Sequence, residues 1–548
     1  MTVRLVPERG PDTAPRTSTS LLDLLDDAAT GHGTVHFVGQ EVEPSSIGTL
    51  WDESEQAARW VGDRAGAGGT VATVLTNTRA CVTSLFGAWR AGCTVASLPL
   101  PARGMTAESY LEQLTRFCEA AGATTLLLDP EHAALLGDAA LPVHTFDETA
   151  AGGPTGAIGD AGDGSLVQFT SGSVGTPKGI ELTLDAVGAH VLAILALLGV
   201  GDEKGQGSCS WLPLSHDMGL IGQLLSPLAA GSSRFGHHSL TLMKPETFIA
   251  NPRSWLQNCS ASQATVTVAP NFALELSIRT AAKSGTFDLS HLRTVIVGSE
   301  AVHADTLERF ATAFAPMGFD PLAFCPAYGM AEATLAVTIV KPSEPWRAIP
   351  QPGPDGAPDP SARPLVCTGS PLEGVDVRVD APPGGVGTIE FRSGSMLSRY
   401  IGAELTLSDD GYFATGDLGL IDDGELFVIG RGDEVIVVAG RNLYPADLEA
   451  AVKHEAVRGG CAAAVAAPDG GFAIVVEPSA ANAEAADLEE ACRGIRAMVA
   501  SSTGSAPVTV AFVPRGSLPK TPSGKLRRLQ IRKVLHSDDG ILARKDFG

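Results

Sequence analysis

Positive charge is scarce in this 548-residue chain, and the shortage excludes several kinds of partner. The chain has 39 lysines and arginines against 62 aspartates and glutamates, which gives a formal net charge of −23 at pH 7. Such an acidic surface repels nucleic acid and anionic lipid, so neither is expected as a primary ligand. An acidic protein that binds a polyanion must concentrate its cations locally, which directs attention to single lysines within polar motifs.

Long apolar runs and paired cysteines are also missing. The longest apolar run, 191–200, is too short to cross a bilayer. The polar, aspartate-containing residues 1–30 are unlike a signal peptide. The nine cysteines include no CxxC pair and no metal-ligand spacing, which predicts reduced, mostly buried thiols without structural zinc. We therefore expect a cytoplasmic protein with no integral membrane association.

Short apolar runs of β type alternate with longer amphipathic segments through the first three hundred residues. The expected strands are 70–75, 94–98, 124–128, 264–268 and 292–297, and the expected helices are 79–91 and 107–121. This alternation predicts an α/β fold whose layers contain mostly parallel sheets. A chain of 548 residues also requires more than one core.

The composition changes at residue 341. Residues 341–364 are rich in proline, glycine and aspartate, which is typical of a loop or linker. Residues 375–379, 387–392 and 425–429 are expected to be strands of a small β unit. A break at 430–432 opens a final stretch with its own strand–helix alternation. We therefore predict a large multi-layered domain over residues 1–430 and a small α+β domain over residues 431–548.

The run TSGSVGTPKG at 170–179 follows an apolar run and combines glycines, hydroxyls and one lysine. Glycines let the backbone turn closely, hydroxyls donate to phosphate oxygens, and Lys178 adds positive charge. The spacing differs from a Walker A loop, and a flexible surface loop is the alternative interpretation. The candidate phosphate ligands are Thr170, Ser171, Gly172, Ser173, Gly175 and Lys178.

Two further polar clusters contain candidate site residues. Gly298, Ser299 and Glu300 stand at the end of the run 292–297, where open α/β sheets bind ligands. In the motif AYGMAE, Tyr328 offers an aromatic face for a base and Glu332 a carboxylate for Mg²⁺. The alternatives are a turn with a helix cap, and a buried tyrosine beside a glutamate at a helix start.

Three single residues complete the set of candidates. His216 lies with an aspartate inside an apolar, glycine-punctuated run, although a core histidine with satisfied hydrogen bonds would give the same pattern. Asp417 follows a tight turn and is suited to accept from two ribose hydroxyls, unless it only stabilises that turn. Lys525 lies on a glycine turn near the C-terminus, where most lysines are only solvated.

The order of these motifs resembles the adenylate-forming superfamily, which includes acyl-CoA synthetases, peptide-synthetase adenylation domains and luciferases. FTSGSVGTPKG is similar to the phosphate loop of that superfamily, AYGMAE to its adenine–magnesium motif, and LPKTPSGK to its catalytic lysine motif. ATGD with IGR is similar to its ribose and hinge region. Within the superfamily, SWLPLSHDMGLIG, APNFALEL and AYGMAEATLAVT most resemble the fatty acyl-AMP ligases.

The resemblance implies a reaction in two halves. A carboxylate, expected to be that of a fatty acid, attacks the α-phosphate of ATP and releases pyrophosphate. The acyl-adenylate is then opened by a thiol, usually the phosphopantetheine arm of an acyl carrier protein. Because both reactants of the first half are anions, alignment and charge stabilisation dominate.

The resemblance also implies the role of each candidate residue. Lys525, brought in by a mobile C-terminal domain, bridges the carboxylate and the α-phosphate, and Glu332 ligates Mg²⁺. His216 stands at the entrance for the acyl carboxylate, where 219–225 and 270–276 form part of an apolar tunnel. The implied nucleotide-binding residues beyond the phosphate loop are Gly298, Ser299, Glu300, Tyr328, Gly329, Met330, Ala331, Asp417 and Arg431.

Three features depart from the family pattern. Where relatives have G-R-x-K-D at the hinge, this chain has Asp433 and Glu434 as the last two residues, so domain rotation is expected to be tuned differently. The segment 341–364 is shorter than the insertion thought to hinder use of CoA. Ser299 replaces a common alanine. An acyl-CoA synthetase on the same scaffold, and a non-catalytic nucleotide-binding module, are therefore the alternative functions.

Overall fold

Two large sheets, parallel in their centres, form the framework of the first four hundred residues. The structure is a computed structural model. It describes residues 3–5, 20–40, 43–66, 68–101, 105–136, 142–150, 164–169, 178–200, 206–232, 235–281, 287–353, 357–359, 362–438, 441–467, 470–520, 526–537 and 540–547.

Each of the two large sheets combines strands that are distant in the chain. In spatial order, the seven-stranded sheet contains Arg399–Ile401, Gly179–Thr183, Ser165–Phe169, Thr94–Ser97, Thr70–Thr73, Thr125–Leu128 and Val143–Thr145. The nine-stranded sheet contains, also in spatial order, Ser370–Pro371, Ala336–Ile339, Phe324–Gly329, Thr294–Val297, Val266–Ala269, Gln206–Ser210, His238–Leu242, Thr34–Phe37 and Ser45–Ser46. The predicted α/β fold with mostly parallel sheets is confirmed.

Helices cover both sheets and connect their strands. In this part of the chain the α-helices are Leu21–Ala29, Ile47–Ala65, Arg79–Arg90, Ala107–Ala121, Pro130–Leu136, Phe146–Ala150, Leu184–Leu197, Ser226–Ala230, Pro245–Ala250, Arg253–Ala261, Asn271–Ala281 and Ala304–Phe314. Met218–Leu225 forms a π-helix, and 3₁₀ turns occur at Ala315–Met317, Pro321–Ala323, Ala331–Ala333 and Gly432–Glu434. No helix among the described residues has both the length and the apolar composition to cross a membrane.

Local signals explain where the predicted elements begin and end. The helix Ala107–Ala121 begins where the Thr106 hydroxyl accepts from a backbone N–H, and it ends at Gly122, whose φ is +64°. The expected strand at 70–75 is paired only to Thr73, although Val74 and Leu75 are completely buried. An apolar run in the sequence indicates which residues are buried, whereas a strand ends where its ladder of hydrogen bonds ends. The end of the apolar run and the end of the strand therefore differ here.

A third, antiparallel sheet contains the small β unit predicted from the sequence. Its strands are, in spatial order, Val3–Leu5, Val375–Val379, Gly387–Ser393, Phe413–Asp422 and Glu425–Arg431. Among the described residues of the segment 341–364, the two-residue strand Ala348–Ile349 pairs with Leu365–Val366. Arg347 anchors this segment by pairing with Asp422 and Glu425.

The final hundred residues surround a four-stranded mixed sheet. Its strands are Val457–Ala466, Phe472–Pro478, Thr509–Phe512 and Ala543–Asp546. The helices of this region are Pro445–Ala450, Ala485–Thr503 and Arg528–Ser537, and the pair Ile436–Val438 and Arg441–Leu443 precedes them.

Alternate side chains of the central strand Phe472–Pro478 serve two separate apolar clusters. Phe472 and Ile474 pack with helix Ala485–Thr503, whereas Ala473 and Val475 pack with helix Arg528–Ser537. These clusters are in keeping with a division near residue 430, which stays a prediction.

All nine cysteines are unpaired and buried. Burial raises the pKa of Cys81 to about 12 and that of Cys93 to about 11, so these thiols stay protonated at neutral pH. The expectation of reduced, buried thiols is confirmed.

His190, on helix Leu184–Leu197, is hydrogen-bonded to two segments that are distant in the chain. Its Nε2 accepts from the Ala336 backbone N–H at 3.0 Å, and its Nδ1 lies 3.1 Å from the Ser395 hydroxyl. Burial lowers the pKa of His190 to about 4, which keeps the ring neutral, as an accepting Nε2 requires.

We expect acid to destabilise the protein through His190. Because its folded pKa lies below the unfolded value, the unfolded chain binds the proton first, so stability is lost as pH falls from about 6.5 towards 4. The free energy of unfolding lost at this residue between pH 7 and pH 5 is about 2 kcal/mol. All six tryptophans precede residue 350, so urea unfolding followed by tryptophan fluorescence reports on this part of the chain.

The variant His190→Gln should show a smaller acid loss than the parent protein, whatever its stability at pH 7. His32→Gln is the matched control, because His32 is exposed. An acid loss in His190→Gln equal to that of the parent would contradict the assignment.

Candidate active site

One cleft of about 2530 Å³ brings the candidate residues together. It is lined by every predicted site residue that the structure describes: Lys178, His216, Gly298, Ser299, Glu300, Tyr328, Gly329, Met330, Ala331, Glu332, Asp417 and Arg431. The predicted Thr170, Ser171, Gly172, Ser173, Gly175 and Lys525 lie outside the described residues.

The carboxyl ends of two neighbouring parallel strands form one wall of the cleft. Thr294–Val297 pairs with Phe324–Gly329, and Gly298 follows the first of these strands directly. A Cβ on Gly298 would lie 3.0 Å from the Ala327 carbonyl oxygen, so the two backbones approach closely there. The next residue, Ser299, has a φ of +70°, a left-handed conformation that costs free energy for a non-glycine residue.

A tight turn follows Tyr328. A side chain on Gly329 would collide with the Leu335 carbonyl oxygen, and the same oxygen accepts from the Met330 backbone N–H at 2.8 Å. Thr334, fully buried with a φ of +73°, is held by its hydroxyl, which donates to the Ser395 carbonyl oxygen. This turn carries Glu332 to the cleft, so its geometry depends on the absence of a side chain at Gly329.

Tyr328 and Asp417 form a hydrogen-bonded pair across the cleft. The Tyr328 hydroxyl donates to the Asp417 carboxylate at 2.6 Å, and burial together with that negative charge raises the tyrosine pKa well above its usual value. Asp417 and Arg431 are register partners on adjacent strands, with Nε and Oδ1 3.7 Å apart. Arg431 also donates to the Thr415 carbonyl oxygen at 3.2 Å. An anionic acceptor is thus positioned between a phenol and a guanidinium.

Tyr400 connects Glu332 to Lys178, and no sequence motif pointed to it. Its hydroxyl donates to Glu332 Oε1 at 3.0 Å, and the Lys178 ammonium lies 3.6 Å from the centre of its ring. Tyr400 reaches this position because Arg399–Ile401 pairs antiparallel with Gly179–Thr183. A pairing between segments more than 200 residues apart leaves no local sequence signal that could have identified Tyr400.

Glu300 contacts protein backbone. Its Oε1 accepts from the Phe272 backbone N–H at 2.6 Å, at the start of helix Asn271–Ala281. The carboxylate therefore joins the strand end at Gly298 to the segment 270–276, which the sequence predicts to wall the acyl tunnel. A role of Glu300 in nucleotide binding stays a prediction.

His216 stands just before the π-helix Met218–Leu225. Its Nδ1 is 2.5 Å from Asp217 Oδ1, and the same oxygen accepts from the Met218 backbone N–H at 2.7 Å. A Cβ on Gly219 would collide with the Pro213 carbonyl oxygen, so the helix can pack this closely only with glycine there. π-Helical segments are rare and often mark functional sites.

Residues on both sides of Lys525 reach the same cleft. Lys520 and Leu526 form an isolated bridge with each other, and both line the cleft. Glu434 is one of the two residues that depart from the family hinge pattern. Its carboxylate accepts a hydrogen bond from Arg528 at 2.7 Å. Arg528 also donates to Glu449 at 2.9 Å, so the hinge carboxylate is bound to the C-terminal region.

Comparison with known proteins identifies the family. The family described as AMP-binding enzyme matches residues 25–401. The long-chain-fatty-acid–AMP ligase FadD26 of Mycobacterium marinum is 32% identical and covers 69% of this chain and 70% of its own. The medium-chain-fatty-acid–[acyl-carrier-protein] ligase JamA of Moorena producens is 34% identical and covers 67% of each chain.

Two further likenesses extend over nearly the whole chain. A putative acyl-CoA synthetase of Caulobacter vibrioides is 31% identical over 94% of each chain. A solved structure from a study of fatty acyl-adenylate ligases of E. coli and L. pneumophila has a TM-score of 0.84 and 25% identity, and covers 95% of this chain and 98% of its own. The chain belongs to the AMP-binding enzyme family, is most like the fatty acyl-AMP ligases and is an acid–AMP ligase.

Proposed function

We propose that this member of the AMP-binding family activates a fatty acid with ATP and passes the acyl group to an acyl carrier protein. The first half releases pyrophosphate and forms the acyl-adenylate, and the second transfers the acyl group to a phosphopantetheine thiol. The observation that carries the proposal is the convergence of Lys178, Tyr328, Glu332 and Asp417 on one cleft. The unpaired cysteines are compatible with the proposed cytoplasmic location.

The geometry suits a nucleoside triphosphate. In this proposal Asp417 and Arg431 take the ribose hydroxyls and Tyr328 flanks the adenine. The backbones at 298–300 and 329–331 line the base pocket. The loop residues Thr170, Ser171, Gly172, Ser173 and Gly175 hold the β- and γ-phosphates, and Lys178 faces the leaving pyrophosphate.

Glu332 fits a magnesium ligand. Tyr400 holds its Oε1, whereas Oε2 has no hydrogen-bond partner among the described residues. A carboxylate oxygen is a ligand type that Mg²⁺ prefers, and the bound ion would offset negative charge on the phosphates. The Tyr400 hydrogen bond fixes the orientation of the carboxylate before any ligand arrives.

The acyl group would enter beside His216 and lie along the π-helix. His216 is held by Asp217 and lines the cleft, which supports its proposed role beside the substrate carboxylate. Lys525 then bridges that carboxylate and the α-phosphate. The positive charge offsets the repulsion between two anions, and such a charge acts more strongly where bound substrates exclude water.

The identity of the thiol acceptor is tested directly by competition. We expect the protein, supplied with ATP, Mg²⁺ and a fatty acid, to acylate a carrier protein that bears the phosphopantetheine arm, and to form little acyl-CoA. The carrier without its arm is the control. Mass spectrometry of the carrier and chromatography of CoA species measure both products. Abundant acyl-CoA would favour the alternative, an acyl-CoA synthetase.

Replacement of the proposed catalytic lysine should slow adenylation. We expect Lys525→Ala to reduce pyrophosphate release by roughly 10²–10³-fold, the size of effect produced by losing one charge-stabilising group. Lys533→Ala, in the exposed part of helix Arg528–Ser537, is the matched control. Unchanged pyrophosphate release in Lys525→Ala would refute the proposed role.

The contact between Tyr400 and Glu332 should set the magnesium requirement. We expect Tyr400→Phe to raise the Mg²⁺ concentration for half-maximal pyrophosphate release by roughly tenfold, because the carboxylate loses an orienting hydrogen bond. Glu332→Gln should raise it further. Tyr412→Phe is the control, since Tyr412 packs among Arg4, Arg378 and Arg392 and takes no part in the Tyr400–Glu332 hydrogen bond. A parental Mg²⁺ profile in Tyr400→Phe would contradict this role.

A further inference from the structure

The inner part of the cleft is walled by apolar side chains on one face of the nine-stranded sheet and on the helices that cover it. Strand Gln206–Ser210 lies between His238–Leu242 and Val266–Ala269, and all three strands are parallel. The lining includes Val266, Val268 and Ile296 from the sheet, and Ile194, Leu195 and Leu198 from the opposite helix and its end. Such walls suit a hydrocarbon chain.

Several buried polar side chains also line the cleft, among them Gln223, His238 and Ser208. Gln223, on the π-helix, is 1% exposed, and His238 and Ser208, on adjacent strands, are each 3% exposed. All three line the cleft. Polar groups buried so deeply are normally hydrogen-bonded, so each needs a partner.

The protein satisfies these groups only in part. His238 Nε2 and the Ser208 hydroxyl are 2.9 Å apart, and Gln223 Nε2 donates to the Gly222 carbonyl oxygen at 3.2 Å. Among the described residues, His238 Nδ1 and Gln223 Oε1 have no hydrogen-bond partner. An unpartnered buried polar atom costs about 1–3 kcal/mol, so these two atoms beside an apolar stretch of the lining indicate a polar guest.

The two atoms specify the chemistry of that guest. Gln223 Oε1 only accepts, so the guest must donate to it. His238 Nδ1 either donates or accepts, according to which atom of the His238–Ser208 pair holds the shared proton. A hydroxyl suits both atoms when Ser208 donates to His238 Nε2, because His238 Nδ1 then donates to the hydroxyl oxygen while the hydroxyl proton goes to Gln223; a ketone cannot donate to Gln223. A second carboxylate is disfavoured, because burial lowers the pKa of His238 to about 4 and leaves no cation there to balance it.

We propose that the cleft selects a hydroxylated acyl chain, whose hydroxyl, remote from the reacting carboxylate, binds between Gln223 and His238. The inference rests on the proposed function, since it takes the inner cleft as the acyl site. His216 precedes the π-helix Met218–Leu225 that carries Gln223, and the two residues are seven apart in the sequence. The hydroxyl therefore lies several carbons from the carboxylate.

The test compares each unsubstituted fatty acid with monohydroxylated acids of the same length, with the hydroxyl moved stepwise along the chain. Pyrophosphate release gives kcat/KM for each acid. We expect one narrow range of hydroxyl positions to exceed the unsubstituted acid by at least about tenfold, because a site built to hydrogen-bond a hydroxyl rejects the analogue that lacks it. A preference for the unsubstituted acid, or none, would mean that the two polar atoms hold water, and would overturn the inference.

Variants assign the preference to the named atoms. Gln223→Met keeps the length of the side chain and removes the acceptor, so the ratio of kcat/KM for the hydroxylated and unsubstituted acids should fall towards one. Ser226→Ala is the matched control, because the Ser226 hydroxyl lines the same cleft but already donates to the Ile221 carbonyl oxygen at 2.8 Å. An unchanged ratio in Gln223→Met would also overturn the inference.

A binding measurement separates this inference from the proposed function. Calorimetric titration of the same acids without ATP measures their affinity for the pocket, independently of the adenylation reaction. If no acid releases pyrophosphate, the proposed function fails. In that case, tighter binding of a hydroxylated acid still supports the polar subsite, and equal binding of both acids refutes it.

Discussion

The ring of Tyr400 lies between two groups of opposite charge that belong to different sheets. Its hydroxyl donates to Glu332, on the turn after a strand of the nine-stranded sheet, and its face receives the Lys178 ammonium, next to a strand of the seven-stranded sheet. This contact holds a cation against the ring face and an anion at the hydroxyl, and both charged residues line the cleft. Both charges stay available to a ligand that carries phosphate and metal together.

Local charge matters because the whole chain is acidic. With a net charge of −23, the surface as a whole repels a triphosphate and a fatty carboxylate alike. Several arginines that the structure describes are held by acidic partners, as Arg528 is by Glu434 and Glu449. The proposed chemistry therefore depends on a few cations in defined places, such as Lys178, Arg431 and the predicted Lys525.

Two buried histidines show how the same residue type serves structure and recognition. Burial lowers the pKa of both His190 and His238 to about 4. His190 has protein partners on both nitrogens and holds a helix to the turn region of a sheet. His238 has a protein partner on one nitrogen only and lines the cleft. From the sequence the two are indistinguishable, since the difference is whether the second nitrogen meets protein or cavity.

The sequence by itself determined the alternation of strands and helices and the motifs that end them, because propensity, apolar runs and glycine turns are local properties. The order of those motifs, through its resemblance to a known family, predicted that Gly298, Tyr328, Glu332 and Asp417 belong to one site. Only the tertiary structure decided that these residues line one cleft and that Tyr400 contacts Glu332. It also decided that Glu300 accepts from a backbone N–H at the start of a helix. Those contacts join segments that are distant in the chain. Strand pairing brings the segments within hydrogen-bond reach, and no short motif encodes strand pairing.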